Sequence, residues 1–374
     1  MNIRPVLSHG LYKFFLFSLL FSALLHAKIA PEDSLAVRAI LDKNNRTDIA
    51  VTSVVDTLNG RITALFLSSR KISRLAPEIG SLSRLRILSL DHNDLASLPP
   101  EIGKLDDLYD LSLADNKLSA LPEQTSRLSS LYSLNLDHNK FLRFPEPVVS
   151  LTNLEELSLG GNRIGSLPAG IGAMHALRYL HLDSNALQTL PAEIEGLSRL
   201  EVLVLKNNAL VTIPATIGRL RALRKLDCSS NRLSALPDRL FELPALTDLF
   251  LSNNRLSALP SPAERLKNLC WLILDSNKIS LLPAEFTRLT ALQWLSARDN
   301  RLSKLPDSIG NLKKLKVFDV SYNAVTELPQ SIAACTGLTI LRLEHNRLCD
   351  ANPAIKAWAD SINPGWQSTQ ECRK

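Results

Sequence analysis

Leucines and single polar residues alternate in a pattern that recurs every 23 residues along most of the chain. In a unit such as 108–122, the fourth and sixth positions are apolar and their neighbours polar, which predicts a short strand with one buried face. The ninth position carries an amide that can donate and accept hydrogen bonds with backbone at a bend, so we expect it to be a buried structural residue. It is asparagine in twelve consecutive units: Asn93, Asn116, Asn139, Asn162, Asn185, Asn208, Asn231, Asn254, Asn277, Asn300, Asn323 and Asn346.

A fixed period of this length predicts a stack of equivalent units, with the function located on the surface that the stack creates. Proline follows position 14 in eleven consecutive units, from Pro99 to Pro329. Its fixed φ and missing N–H favour extended or 3₁₀ structure over a long helix there.

The whole unit reads L-x-x-L-x-L-x-x-N-x-L-x-x-L-P-x-x-I-G-x-L-x-x and resembles the 23-residue class of the leucine-rich repeat (LRR) family. Thirteen units fit, here called coils 1 to 13, the first beginning at Ile62 and the last at Leu338. The resemblance implies a right-handed α/β LRR solenoid, or horseshoe. Its concave face would carry a parallel sheet of about thirteen strands, and its convex face short 3₁₀ or extended segments.

The ends of the chain depart from the repeat. Arg4 and Lys13 precede an apolar run over 14–25, which predicts a signal peptide at 1–27 with cleavage near Ala27. We expect an N-terminal cap at 28–61, repeats at 62–348 and a C-terminal cap at 349–374. The N-terminal cap should contain a helix capped by Asp33 and Ser34 and a hairpin turning at Asn59-Gly60, and it resembles the caps of plant-type extracellular LRR proteins.

Net charge and the positions of the cysteines say less about the fold than the repeat does. The formal net charge is +6, and it falls to +4 when Arg4 and Lys13 are removed with the signal. Many bases lie at position 10, beside the asparagine, where they form either a solvated rim or a track for polyanions.

Cys228 and Cys335 replace core leucines, and Cys270 lies near a strand edge as a free thiol. Cys349 and Cys372 bracket a tail that resembles the C-terminal caps of secreted bacterial LRR proteins, and we expect them to form a disulfide.

Catalytic motifs are absent from the sequence, which has no Gly-rich phosphate loop, no nucleophile elbow and no H-E-x-x-H. We therefore expect no enzymatic activity and no cofactor. One row at position 8, His92, Asp115 and His138, could hold a metal ion with Asp91 or Asp137 as a further ligand. A polar exposed ladder explains the same residues more simply, and we predict no metal site.

The candidate binding residues lie at positions 3, 5 and 7, which should face the concave solvent side. Early coils place acids there: Asp91, Asp110, Asp137, Glu156 and Asp183. Later coils place aromatic and aliphatic side chains: Tyr179, Val202, Val204, Phe250, Trp271, Ile273 and Trp294. Exposed aromatics of this kind predict a contact surface for another protein, although scattered surface apolars or contact with a cap or second protomer are alternatives.

The predicted function is therefore that of an exported protein that binds a protein ligand, in adhesion or host contact, and is located outside the cell, on its surface or in the periplasm. The alternative is a carbohydrate or polyanion binder in which Trp271 and Trp294 stack on sugar rings while Lys206, Lys225 and Arg298 meet acidic groups. We expect no nucleic-acid partner and no membrane span in the mature chain.

Overall fold

One fourteen-stranded sheet runs through the part of the chain that the structure describes, residues 29–260 and 265–372 of a computed structural model. The expected signal peptide at 1–27 lies outside these residues. The strands follow one another in chain order without a crossover. Strand β1 (Val55–Leu58) pairs antiparallel with β2 (Arg61–Phe66), and each later strand pairs parallel with its predecessor. The prediction of about thirteen parallel strands is confirmed by β2 to β14.

Each strand from β3 onward is three residues long. Their bounds are β3 Ile87–Ser89, β4 Asp110–Ser112, β5 Ser133–Asn135, β6 Glu156–Ser158, β7 Tyr179–His181, β8 Val202–Val204, β9 Lys225–Asp227, β10 Asp248–Phe250, β11 Trp271–Ile273, β12 Trp294–Ser296, β13 Val317–Asp319 and β14 Ile340–Arg342. Partners in neighbouring strands are 23 residues apart, as in Leu272 and Leu295. Residues at one repeat position therefore form a straight row across the sheet.

The return path of most coils is a 3₁₀ turn, and nine of the eleven described turns begin directly after the proline that follows position 14, in agreement with the predicted 3₁₀ or extended structure. These turns span Pro77–Ser81, Pro100–Lys104, Glu123–Arg127, Glu146–Ser150, Ala169–Ala173, Ala192–Gly196, Ala215–Arg219, Asp238–Glu242, Ala284–Arg288, Ile309–Asn311 and Gln330–Ala334. Two further 3₁₀ segments lie in the caps, Val51–Ser53 and Trp366–Thr369. Glycine at position 19 lets the turns pack closely, since a Cβ on Gly103 would lie 2.3 Å from the Gln124 carbonyl oxygen.

The asparagine of each coil joins three segments of backbone. Asn116 donates from Nδ2 to the carbonyls of Leu90 and Leu113, at 2.9 and 3.0 Å, and accepts from the N–H of Leu95 at 3.0 Å. The same bonds recur in the other coils, and nine of the twelve asparagines are buried. Asn185, Asn208 and Asn300 are partly exposed. Under this ladder the leucines form one continuous core from the N-terminal helix to Trp366.

The N-terminal cap contains helix α1 (Pro31–Lys43) and the β1–β2 hairpin. The expectation that Asp33 and Ser34 cap the helix is wrong, because the helix begins at Pro31 and has no side-chain cap. Asp33 is instead fully buried and accepts from Arg61 Nη2 at 2.9 Å and from the Ile62 N–H at 2.8 Å. The buried carboxylate thus ties the helix to the first coil. The hairpin turns at Asn59-Gly60, both at positive φ, as expected.

The C-terminal cap contains helix α2 (Pro353–Ile362), whose first turn is capped by the Asn352 side chain. Cys349 and Cys372 form a disulfide across it. Gln370 completes the asparagine ladder, accepting from the Leu348 N–H at 3.2 Å and donating to the Leu343 carbonyl at 3.1 Å. Within the described residues, neither α1 nor α2 has the length and apolar character needed to cross a membrane.

Candidate functional site

The concave face is formed by the strand residues whose side chains point away from the leucine core. In most strands the middle residue is buried and its two neighbours are half-buried. This alternation follows from the pleat, which sends successive side chains to opposite faces. Residues at positions 3, 5 and 7 therefore share one surface, as the sequence predicts.

Four apolar side chains from coils 9 to 11 form the most aromatic part of this face, here called the tryptophan patch: Phe250, Trp271, Ile273 and Trp294. Trp271 and Trp294 are register partners, and their rings stack with centroids 4.7 Å apart and planes 15° from parallel. Phe250 pairs in register with Ile273 on the adjacent row. Trp271 retains 37% of its surface exposed. The patch is a continuous apolar surface open to solvent.

The other three predicted residues, Tyr179, Val202 and Val204, lie in a separate group on β7 and β8. Strand β9 places two charged side chains, Lys225 and Asp227, between them and the patch. Lys225 Nζ lies 5.5 Å from the centroid of the Phe250 ring, in a cation–π contact. The predicted surface is thus divided by one charged coil.

The acidic row, defined as Asp91, Asp110, Asp137, Glu156 and Asp183, occupies positions 3 and 7 of coils 2 to 6. Burial, together with the nearby Asp91 carboxylate, raises the pKa of Asp110 to about 6. Burial also raises the pKa of Asp137 to about 6, where the Gly160 N–H opposes the shift and Asp183 adds to it. The pKa of Glu156 is raised by burial and by Asp110. These carboxyl groups are held near one another at an energetic cost.

No lysine or arginine among the described residues forms an ion pair with the acidic row. Arg178 acts on Glu156 from a distance, but its ion pairs are with other acids along position 2, Glu201 at 2.6 Å and Glu155 at 3.4 Å. Burial and a hydrogen bond to Glu155 raise the pKa of the nearby Tyr132 phenol to about 12. The acidic row therefore presents carboxyl groups that no described lysine or arginine pairs with directly.

A second stacked aromatic pair lies beside the acidic row and was not predicted. Tyr109 and Tyr132 stack with centroids 4.8 Å apart and planes 9° from parallel. They share position 2 of coils 3 and 4, so the equal spacing of two tyrosines by 23 residues is the signal that could have revealed them.

The position 8 row has a backbone explanation. In all thirteen coils the residue at this position has positive φ, including His92, Asp115 and His138 at 53–54°. Histidine, aspartate and asparagine are enriched in this left-handed region, so the fold itself favours these residue types. His92 Nδ1 lies 3.3 Å from Asp115 Oδ2, but within the described residues no three His, Cys, Asp or Glu side chains are grouped to hold a metal ion.

The remaining cysteines follow their repeat positions. Cys228 and Cys335 are buried and free, and burial raises the pKa of both thiols. Cys270 is a half-exposed free thiol at position 2, next to Trp271.

Two family models match the chain. One, described as a leucine-rich repeat region, matches residues 67–166 and 162–249, and another, described as a leucine rich repeat, matches 221–279, 244–302 and 298–348. The chain belongs to the leucine-rich repeat family. No curated protein matches it.

Solved structures agree with this assignment. An LRR protein of Leptospira interrogans is 33% identical to this LRR protein, with a TM-score of 0.67 and 81% of each chain covered. The LRR ectodomain of the Arabidopsis thaliana receptor kinase GASSHO1/SCHENGEN3, solved in complex with Casparian strip integrity factor 2, is 28% identical with a TM-score of 0.68. That match covers 86% of this chain and 43% of the plant one. An internalin of Listeria monocytogenes, 21% identical with a TM-score of 0.71 over 92% of this chain and 95% of its own, shows the fold alone.

Proposed function

We propose that this LRR protein is an exported, non-enzymatic recognition protein that binds another protein on its concave face, with the tryptophan patch as the central contact. The observation that carries the proposal is the stack of Trp271 on Trp294 on the concave face, where Trp271 is exposed and Trp294 half-buried. Tryptophan is enriched among residues that dominate binding energy, and contiguous exposed apolar surface marks interaction sites.

The patch is not required by the fold. Position 3 holds Asp110, Ser133 and Lys225 in other coils, and their strands form in the same register. The core contribution of β11 and β12 comes from the buried Leu272 and Leu295 between the surface residues. The strands therefore form without indoles at position 3, and we infer that the tryptophans of coils 10 and 11 serve binding.

The relatives support protein binding as the general activity. The plant ectodomain, of which this chain spans less than half, was solved with a named partner. A disulfide in the C-terminal cap fits an oxidising compartment, which supports export and an extracellular, surface or periplasmic location. Adhesion or host contact is the role we propose within that setting.

A protein partner fits this surface better than a glycan. In the alternative, Lys206, Lys225 and Arg298 meet acidic groups of a sugar. Two of these three cations already contact rings, Lys225 over Phe250 at 5.5 Å and Arg298 over Tyr322 at 4.2 Å.

Site-specific crosslinking tests the proposal. A photoreactive residue replacing Ile273 in the patch should capture a partner from envelope or host-cell extracts, and the same residue at Glu285 on the convex turn should not. Capture must disappear when Trp271→Ala and Trp294→Ala are introduced together. Equal capture from both positions, or capture that survives the double substitution, contradicts the proposed site.

Export is tested separately. N-terminal sequencing of secreted protein should begin close to Lys28, and recovery of only the intact Met1 form in the cytosol would contradict the proposed location.

A further inference from the structure

A second surface lies on the flank of the solenoid, away from the concave rows. Four consecutive coils, 8 to 11, carry a base at position 10, and we name these residues the basic edge: Arg232, Arg255, Lys278 and Arg301. All four are exposed, and none has a side-chain hydrogen bond or ion pair among the described residues. The four charges are available to a ligand.

The backbone holds these residues in single file. The N–H of Arg255 donates to the Leu233 carbonyl at 2.8 Å, and the N–H of Lys278 donates to the Leu256 carbonyl at 2.8 Å. Arg232 and Arg301 make the same bond to the coil before each of them. Successive bases are therefore offset by one coil, about 5 Å near the sheet.

The surroundings of the basic edge are rich in hydroxyl groups. Position 12 of the same coils is an exposed serine in every case, and position 8 of coils 8 to 10 is serine or asparagine. Positions 10 and 12 flank a buried residue and so point to the same side. Asp299 is the single acid at positions 8 and 12 of these coils, which include no aromatic residue there. The four serines are Ser234, Ser257, Ser280 and Ser303.

The same position in the early coils gives an internal contrast. There the bases are Lys71, Lys117, Lys140 and Arg163, interrupted by Asp94. Lys117 Nζ pairs with Asp94 Oδ1 at 2.6 Å, so part of this charge is neutralised. Coils 6 and 7 then carry alanine at position 10, which separates the early bases from the basic edge.

We propose that the basic edge binds an acidic polysaccharide, laid across coils 8 to 11. A linear polyanion can follow the file of four bases, and opposite charges attract along its whole length. The serine row can exchange hydrogen bonds with sugar hydroxyls. Single-stranded nucleic acid is disfavoured because its binding surfaces supply aromatic side chains for base stacking, and this edge has none.

Fluorescence anisotropy with labelled dextran sulfate oligosaccharides tests the proposal, using the full exported chain. The fourfold variant Arg232→Gln, Arg255→Gln, Lys278→Gln, Arg301→Gln should bind at least about tenfold more weakly than the parent, and parental binding should weaken with salt. Neutral dextran of equal length should not bind.

A matched control changes the same charge at the same position. The variant Lys71→Gln, Lys117→Gln, Lys140→Gln, Arg163→Gln should lose less than about threefold, because its bases are interrupted and partly paired. Thermal melts should show both variants folded, since every substituted residue is exposed. Equal losses in the two variants would mean that binding follows net charge, and the proposal would fail.

Two further binding measurements identify which surface binds dextran sulfate and which class of polyanion the surface prefers. The Trp271→Ala, Trp294→Ala variant should bind dextran sulfate as the parent does, so loss of the concave function and loss of this one are distinguishable. Tighter binding of a single-stranded oligonucleotide than of dextran sulfate would overturn the choice of a polysaccharide.

Discussion

The two halves of the concave face share one backbone and present opposite chemistry. Coils 2 to 6 carry the acidic row, with no lysine or arginine at positions 3, 5 and 7. Coils 9 to 11 carry the tryptophan patch. The strands beneath are the same three residues long and pair in the same register. The difference shows that the leucine and asparagine positions determine the stack, while the positions between them are free to define what is bound.

The largest effect should come from removing the aromatic half. Trp271→Ala and Trp294→Ala should each weaken partner binding by about 2 kcal/mol or more, because both indoles bury on contact. Titration of the crosslink-identified partner measures this. The stacked tyrosines are the control: Tyr109→Ala with Tyr132→Ala should leave most of the affinity. A greater loss from the tyrosines would locate the main contact in the acidic half instead.

Opening the C-terminal disulfide should affect the two halves unequally. Cys349→Ser removes a crosslink between residues 23 apart, which stabilises by about 3 kcal/mol in the chain-entropy model. Hydrogen exchange should quicken most in coil 13 and fade toward coil 3, because each coil contacts only its neighbours. Cys270→Ser, at a free half-exposed thiol, serves as the control. Uniform quickening along the chain would show that the solenoid unfolds as one unit.

The asparagine ladder should respond equally in both halves. Asn139 and Asn277 are both buried and make the same backbone bonds. Replacing either with alanine should cost roughly 1–3 kcal/mol of unfolding free energy, by leaving buried backbone groups unpaired. Asn208→Ala should fall at the low end, since Asn208 is partly exposed. Denaturant unfolding measures all three, and clearly different costs for Asn139 and Asn277 would mean that the halves are not structurally equivalent.

The smallest predicted effect is the pH dependence of the acidic half. The folded-state pKa of Asp110, about 6, exceeds its ordinary value of 3.8, so its charged form is disfavoured by folding. The contribution of Asp110 to the free energy of unfolding is therefore fully present below pH 4, where the carboxyl is protonated, and is lost as pH rises through 6. Asp110→Asn should therefore be more stable than the parent by about 1 kcal/mol at pH 8, a figure reduced for partial solvent exposure, and equal to it below pH 4. Thermal melts at both pH values check this, and a less stable variant at pH 8 would reverse the sign.

Much of the fold follows from the sequence because the period is explicit. The 23-residue spacing predicts the strand register, and the proline after position 14 predicts the 3₁₀ turns. The side-by-side placement of Trp271 and Trp294 follows from the same spacing. The pattern within one unit is enough to predict the fold, because every unit repeats the same contacts.

The features that spacing did not predict depend on contacts between unlike segments. Asp33 has the sequence context of a helix cap, yet the fold uses it to bind Arg61. The pKa of Asp110 depends on how deeply the concave face buries it. Positive φ at position 8 does not follow from the spacing, although residues rich in Ser, Asn, Asp and His at one repeat position can indicate it.

Gln370 ends the ladder by making the hydrogen bonds of a repeat asparagine. Its side chain is one methylene longer and reaches back to the carbonyl and the N–H that the asparagine of a fourteenth coil would have bonded. The stack thus ends at its two caps, here called terminators, and every coil between them contacts its neighbours through the same hydrogen bonds. A gene that gains or loses one whole unit by recombination between its copies would keep both terminators and encode a folded solenoid of new length. The extent of the concave face and of the basic edge can therefore change in a single genetic event, without redesign of the core.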